Sequence, residues 1–380
     1  VNADAIIVGA GSVGTPLAMS LSEAGMAALV LETGASAGQG NNKCAIGGIR
    51  ATHGDPAKVA LCLESLEVFG KWADLTGESI GWRRGGYSFV AYTPEIAGAL
   101  KSMIPGQRSA GLAIDWHDAG FIGKLVPGIN PEGLLGGTYS PGDGSASPMA
   151  SCCAFHRRAV AKGASFMFRE EVTGISHRSG IFTVRTSRGV HQAPVLVNCA
   201  GSFARKIGAM LGLDLPVFPD SHEAGITEPV RRFFEPMVVD LRRVPGSSNY
   251  YFYQYDTGQV VFCVSPEPLI RGTDHRETSV FLPQVARRMV DLWPRLAALK
   301  VRRTWRGCYP QTPDGSPLLG RAGPEGSWLA VGMCGQGFML GPGVGAALAR
   351  TITGTGTGTD RMVMDAMRPD RSFSGSEALK

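Results

Sequence analysis

The stretch that most constrains the fold is the N-terminal one. Ala5-Ile6-Ile7-Val8 reads as an apolar strand and Gly9-Ala10-Gly11-Ser12-Val13-Gly14 as a glycine turn. Residues 15–24 follow a helical pattern, and 27–31 are a second apolar run that stops at Glu32. Strand, turn, helix, strand and acid in that order make a dinucleotide-binding unit. Gly9 permits the tight turn, Gly11 lets the backbone approach a pyrophosphate, and Gly14 lets the helix lie close on the strand. The helix N-terminus then points at the phosphates. Glu32 stands where a carboxylate can accept hydrogen bonds from both ribose hydroxyls, which disfavours a 2′-phosphate and therefore NADP. The motif alone leaves NAD and FAD open.

Composition narrows the setting. A length of 380 residues allows two to three domains, and 44% hydrophobic against 18% charged residues is ample for a core. The 52 glycines are about twice the ordinary share but follow no collagen period. No apolar run is long enough to span a membrane and no signal-peptide pattern occurs, so a cytoplasmic protein without a transmembrane segment is expected. The formal charge of +5 is spread over short pairs such as Arg83-Arg84 and Arg302-Arg303, which argues against nucleic acid as a partner. Eight cysteines lack CxxC or His/Cys ligand spacing, so free thiols in a reducing compartment are expected and no metal site.

The rest of the chain chooses the dinucleotide. Regular βαβ units would continue an NAD dehydrogenase. Instead Gly38-Gln39-Gly40-Asn41-Asn42-Lys43-Cys44-Ala45-Ile46-Gly47-Gly48-Ile49-Arg50 is a loop of small and polar residues, suited to a backbone running along a flat ligand. A helix at 149–162, a strand at 165–168 and strand-like 182–186 lead to Val195-Leu196-Val197-Asn198-Cys199-Ala200-Gly201-Ser202, a second strand-to-glycine turn before a helix at 203–211. Near the C-terminus a strand at 328–331 runs into Gly332-Met333-Cys334-Gly335-Gln336-Gly337-Phe338-Met339, with a helix expected over about 342–352. The N-terminus of that helix is a fixed partial positive charge, as needed at the N1/C2-carbonyl end of an isoalloxazine.

These residues resemble the FAD-dependent D-amino-acid oxidase superfamily, over Gly9 to about Gly354. The look is nearest to the beta subunits of heteromeric sarcosine oxidase and of dye-linked L-proline dehydrogenase. It is carried by Gly47-Gly48-Ile49-Arg50, by His222-Glu223-Ala224-Gly225-Ile226-Thr227-Glu228-Pro229, and by Trp305-Arg306-Gly307-Cys308-Tyr309 before Thr312-Pro313-Asp314. The resemblance implies an α/β (α+β) fold: a Rossmann-like FAD-binding domain of the glutathione-reductase-2 type, with an inserted antiparallel-sheet substrate domain. The expected boundaries are 1–85, 143–217 and 305–360 for the FAD domain, 86–142 and 218–304 for the substrate domain, and a tail over 361–380. FAD contacts are implied at Gly9, Gly11, Ser12, Val13, Gly14, Glu32 and Thr33. Further contacts are implied at Asn41, Asn42, Lys43, Ala45, Gly47, Gly48, Val172, Ala200, Gly201, Gly335, Gly337, Phe338 and Met339.

The inserted interval 218–304 reads as sheet at 223–227, 237–241, 250–255 and 259–264, followed by an amphipathic helix at 278–292. In the resembling family such a sheet roofs the flavin. Of the run Tyr250-Tyr251-Phe252-Tyr253 only one parity can face the cavity; Tyr251 and Tyr253 are candidate substrate contacts. Interval 86–142 reads as loop-rich.

Amine oxidation by flavin relies on positioning and water exclusion, so no Ser-His-Asp array is expected, and the seven histidines suggest none. Two carboxylate anchors of the family are replaced. Tyr309 stands where glycine oxidase and D-amino-acid dehydrogenase look-alikes carry Arg, and Met339 where monomeric sarcosine oxidase carries Lys. Arg50 is the remaining candidate anchor, weighed against an arginine merely paired to backbone or to an acid, with His53 and Gln336 in support. Arg50, His53, Tyr309 and Gln336 form the candidate catalytic set; Arg50, Tyr251, Tyr253 and Met339 form the substrate set. The flavin-attachment cysteine of monomeric sarcosine oxidase would fall on Gly307, so non-covalent FAD is expected.

The reading is an FAD enzyme oxidising the C–N bond of a small amino acid or secondary amine, a dehydrogenase rather than an oxidase. It passes electrons to another acceptor or a partner subunit. A 2-hydroxy-acid dehydrogenase on the same fold, and a flavin-carrying subunit active only within a complex, stay open. The low-complexity run 351–359 and the polar stretch 367–380 read as a frayed terminus, with a homo-oligomer contact left open there.

Overall fold

In the computed structural model, which describes residues 3–374 and Leu379, two sheets from interleaved parts of the chain face one another. The lower is a six-stranded sheet with the order Leu318–Arg321, Ser327–Val331, Val195–Asn198, Ala5–Val8, Ala28–Glu32, Ser165–Phe168. All its pairs are parallel except the first, which is antiparallel. Its central strands are buried on both faces, which is why they read as uninterrupted Val, Ile and Leu. Helices Gly14–Glu23, Pro56–Thr76, Pro148–Ala161 and Gly337–Ile352 cover one face through a shared apolar core. A three-stranded antiparallel sheet, Val172–Arg178, Ile181–Thr186 and Val190–Ala193, covers the other.

Three of these helices meet at a row of glycines. A Cβ on Gly341 would lie 1.9 Å from the Ser12 carbonyl oxygen, one on Gly343 2.1 Å from that of Leu61, and one on Gly345 2.7 Å from the Leu17 nitrogen. Absent side chains let backbone touch backbone.

The upper sheet has eight strands in the order Val301–Gln311, Phe218–Pro229, Gln259–Pro266, Ser247–Gln254, Met237–Asp240, Tyr87–Ala91, Gly136–Ser140, Asp115–Asp118. Intervals 86–142 and 218–304 thus build one sheet. They join at Met237–Asp240 beside Tyr87–Ala91, the one parallel pair in an otherwise antiparallel sheet. The strand Val301–Gln311 runs across the expected boundary at 304/305. Tyr250 and Phe252 point to an outer core under helix Phe281–Leu292, whereas Tyr251 and Tyr253 point inward.

Several sequence expectations are corrected. The Gly337–Ile352 helix begins five residues earlier than expected, with Pro342 inside it, because contact with its neighbours outweighs proline's preference for a first turn. Interval 86–142 holds helices Pro94–Ser109 and Ala119–Leu125 as well as three strands. Helix Pro56–Thr76, opened by Asp55 as N-cap and Pro56, was not foreseen. The expected tail is ordered well past 361. Helix Gly358–Ala366 starts with a capping box between Thr357 and Asp360, Arg350 bridges Glu64 and Asp360, and Arg371 binds Asp314 at 2.8 Å. Of the expected frayed stretch, 375–378 and Lys380 lie outside the described residues. Among the described residues no helix is long and apolar enough to cross a membrane.

Candidate functional site

Residues of both sheets line a cavity of about 480 Å³. On its lower side the glycine turn behaves as its spacing implies. Gly9 takes φ +107°, a left-handed conformation in which a Cβ would also lie 2.7 Å from the Cys199 carbonyl oxygen. A Cβ on Gly14 would lie 1.9 Å from the Gly9 oxygen, so the third glycine serves strand–helix contact and stays off the cavity. At Gly11 a Cβ would meet nothing within 4 Å, so this glycine serves space on the cavity side. Glu32 accepts the Ala10 N–H at 2.8 Å and the Gly34 N–H at 2.6 Å, which fixes its carboxylate against the turn. Asn41 donates to Ser202 at 2.7 Å and so ties the 38–50 loop to the second glycine turn at Ala200-Gly201.

The expected FAD-contact residues lie on this wall with two exceptions, Gly14 and the exposed Lys43, whose side chain is on solvent. Gln336 sits at the cap position of the Gly337–Ile352 helix. Its amide is buried, and neither its Nε2 nor its Oε1 has a hydrogen-bond partner among the described residues. A buried amide offering one donor and one acceptor, an open glycine and a helix N-terminus together fit a flat ligand with a polar edge, as a flavin is.

The 38–50 loop continues into a buried polar hub. Asp143 accepts the Ala51 N–H at 2.9 Å and the Thr52 hydroxyl at 2.8 Å; burial, partly offset by these bonds, raises its pKa to about 6. Arg50 borders the cavity, with its guanidinium over Phe89 at 5.3 Å. Its Nη1 donates to the Thr52 carbonyl and its Nη2 to the Leu379 carbonyl. The candidate anchor is therefore paired to backbone, the alternative weighed against it. His53 lies behind Arg50 rather than on the cavity. Burial and the Arg50 charge hold its pKa well below the usual imidazole value, so it is neutral.

On the upper wall Tyr251 and Tyr309 line the cavity, with Met339 of the Gly337–Ile352 helix on the lower side, while the Tyr253 hydroxyl donates to the Ile46 carbonyl and the ring is covered. The Tyr251 and Tyr309 hydroxyls are 2.7 Å apart. Burial raises both phenols well above the usual value, so both are protonated. Sequence reasoning missed His222 as a site residue, although it lay within a quoted motif. Histidines do pair with acids here: His222 lines the cavity, stacks on Tyr309 at 3.7 Å and faces Asp220 at 3.0 Å, and His191, behind the lining residue Glu170, meets that carboxylate at 2.6 Å. The i, i+2 spacing of His222 and Asp220 was the available signal; which face of the strand they occupy is set by its partners. Gly307 faces Cys44, where a Cβ would lie 2.6 Å from the Cys44 Cβ.

Comparison with known proteins agrees with this arrangement. A family model described as DAO, FAD dependent oxidoreductase, matches residues 4–351. Mitochondrial sarcosine dehydrogenase of Mus musculus is 27% identical over 98% of this chain, which spans 42% of that protein. Glycine oxidase of Bacillus licheniformis is 25% identical over 94% of this chain and 95% of its own length. The crystal structure of L-proline dehydrogenase from P. horikoshii superposes with a TM-score of 0.88 at 28% identity, covering 94% of this chain and 95% of that one. The chain spans less than half the length of the sarcosine and dimethylglycine dehydrogenases it matches.

Proposed function

This chain belongs to the family of FAD-dependent oxidoreductases, and from that premise we propose that it oxidises the C–N bond of a small amino acid or secondary amine to an imine. The observation that carries the reading is the cavity itself: a dinucleotide cradle below, a largely apolar and aromatic sheet above, and few polar groups between. FAD, when bound, supplies the two-electron acceptor for the hydride lost from the substrate α-carbon. The protein's part is binding, orientation and exclusion of water.

The glycine turn and Glu32 hold the adenosine diphosphate half, and the helix N-terminus with Gln336 faces the ring end. Tyr87, Phe89, Val239 and Tyr251 give the substrate side an apolar wall. Arg50 is the carboxylate anchor, exchanging a backbone carbonyl for the substrate's carboxylate, which its fork binds in bidentate fashion. Names of relatives support the substrate class: sarcosine, dimethylglycine, glycine and L-proline are all amines with a carboxyl group.

The test is anaerobic bleaching of the bound flavin by sarcosine, L-proline, glycine and D-amino acids, with 2-hydroxy acids as the contrasting set. Bleaching by hydroxy acids and by no amine refutes the reading. Electrons leave to an acceptor other than oxygen, directly or through a partner subunit; oxygen consumption by the isolated chain at the rate of flavin reduction refutes that second part.

A further inference from the structure

The carboxyl ends of three neighbouring parallel strands fix what can lie along the floor of the cavity. Ala5–Val8 runs into the glycine turn, Ala28–Glu32 ends at Glu32, and Ser165–Phe168, next in the sheet, leads into Glu170. Ligands of open α/β sheets lie outside such ends. With the pyrophosphate at the turn and the ribose at Glu32, the next group outward is the base. It falls at Glu170-Glu171-Val172, all of which line the cavity. The Glu170 N–H donates to the Glu32 carbonyl at 2.9 Å, so the two acids stand side by side. Two strand spacings, about 10 Å, separate the turn from Glu170, which leaves room for a ribose between them.

The two acids of this segment differ. Glu171 is exposed and pairs with Lys206 at 2.7 Å, whereas Glu170 is buried. Burial acts to raise the Glu170 pKa, but bonds from Thr186 and His191 and the charge of Arg188 hold it below the usual carboxylate range, so it is ionised. Thr186 donates its hydroxyl to Glu170 Oε1 at 2.7 Å, and His191 Nε2, facing an ionised acid, donates to the same oxygen at 2.6 Å. Oε2 takes no hydrogen bond among the described residues, and it is not wholly covered. A carboxylate held by one oxygen and open at the other calls for an N–H donor. Adenine presents one, its 6-amino group, where hypoxanthine carries a carbonyl oxygen.

We propose that Glu170 reads the base of the cofactor, its Oε2 accepting from the 6-amino group of adenine, and that His191 and Thr186 position it. The consequence is a base specificity. Adenine dinucleotides bind, and a 6-oxopurine dinucleotide is rejected, because its carbonyl oxygen would face a buried carboxylate and two acceptors repel. Glu32 then holds the sugar and Glu170 identifies what the sugar carries. The role is independent of which substrate the flavin oxidises.

The experiment titrates the full chain, freed of flavin, with FAD and with its hypoxanthine analogue, which differ only at the 6-position of the purine. Binding is read from flavin absorbance and fluorescence. The unaltered chain is expected to bind FAD about 30-fold more tightly than the analogue. Glu170→Gln carries an amide that accepts from an amine or donates to a carbonyl, so E170Q is expected to bring the two affinities within about threefold. His191→Gln loosens the carboxylate and is expected to narrow the ratio to about tenfold. A ratio within about threefold in the unaltered chain overturns the proposal. So does an E170Q chain that keeps the unaltered ratio, including one that binds both ligands equally weakly, which marks a structural role. If E170Q does not fold, H191Q decides, and an unchanged ratio there overturns the proposal. Affinity rather than turnover is the readout, so a failure of the amine reading leaves this result standing.

Discussion

Alanine at Gly341 and alanine at Gly98 are the same chemical change with opposite expected signs. In an open helix, Gly→Ala stabilises by about 1 kcal/mol, because alanine has less backbone freedom to lose. Gly98 is such a site: it is exposed within Pro94–Ser109, and a Cβ there meets nothing within 4 Å. At Gly341 the added carbon would stand 1.9 Å from the Ser12 oxygen and 2.9 Å from its carbonyl carbon. Both obstacles are backbone, so relief requires the Gly337–Ile352 helix and the turn at Ser12 to separate by on the order of 1 Å. A gap of that size forfeits a quarter to a half of each contact's dispersion energy along the seam. With overpacking costing about 1–3 kcal/mol, the upper end applies where neither side bends, and the propensity gain offsets only about 1. The net expectation is a loss of about 2 kcal/mol for G341A against a gain of about 1 for G98A. Urea unfolding of the FAD-free chain, followed by tryptophan fluorescence, reads the difference of about 3 kcal/mol. Because Ser12 belongs to the phosphate turn, G341A is also expected to weaken FAD binding about tenfold, whereas G98A leaves it unchanged. Equal stability of the two variants would refute the account of the helix seam as backbone contact.

Three further outcomes are expected. Gln336→Leu removes a buried amide with no partner among the described residues, so the FAD-free chain should gain about 1–3 kcal/mol in urea unfolding while ligand affinity falls; a destabilised Q336L contradicts the reading. Asp143, with its pKa raised from 3.8 to about 6, holds a proton in the folded chain that the unfolded chain has released, so stability falls as pH rises through that window, by about 3 kcal/mol in all. D143N lacks that dependence, and its urea midpoint should change less between pH 4 and 7. Acid denaturation should release the yellow colour from the polypeptide, since FAD is expected to be held without a covalent bond.

The lower half of the site was legible because its requirements are local. A turn with φ +107° at Gly9 and a helix pressed on a strand at Gly14 admit one residue type, and that residue is visible in the sequence. The acid ending the second strand is legible for the same reason. The upper half depends on partners far along the chain. That Tyr251 faces the cavity while Tyr250 and Phe252 face the outer core follows from strand pairing, which the alternation of aromatics could not disclose. The His222–Asp220 pair is hidden likewise, since its spacing is that of any two residues on one strand face. Pro342 misled because proline's local preference for a first helical turn yields to a seam of three helices.

Arg50 joins the two ends of this story, since one of its N–H groups rests on the carbonyl of Leu379, which is 1% exposed against the inward face of the upper sheet. Arg50 is thereby a brace between residues 329 positions apart as well as part of the cavity lining, so a substitution there that alters turnover also releases Leu379 from its hydrogen bond, and the two effects are separable only by a variant that keeps the guanidinium's donors.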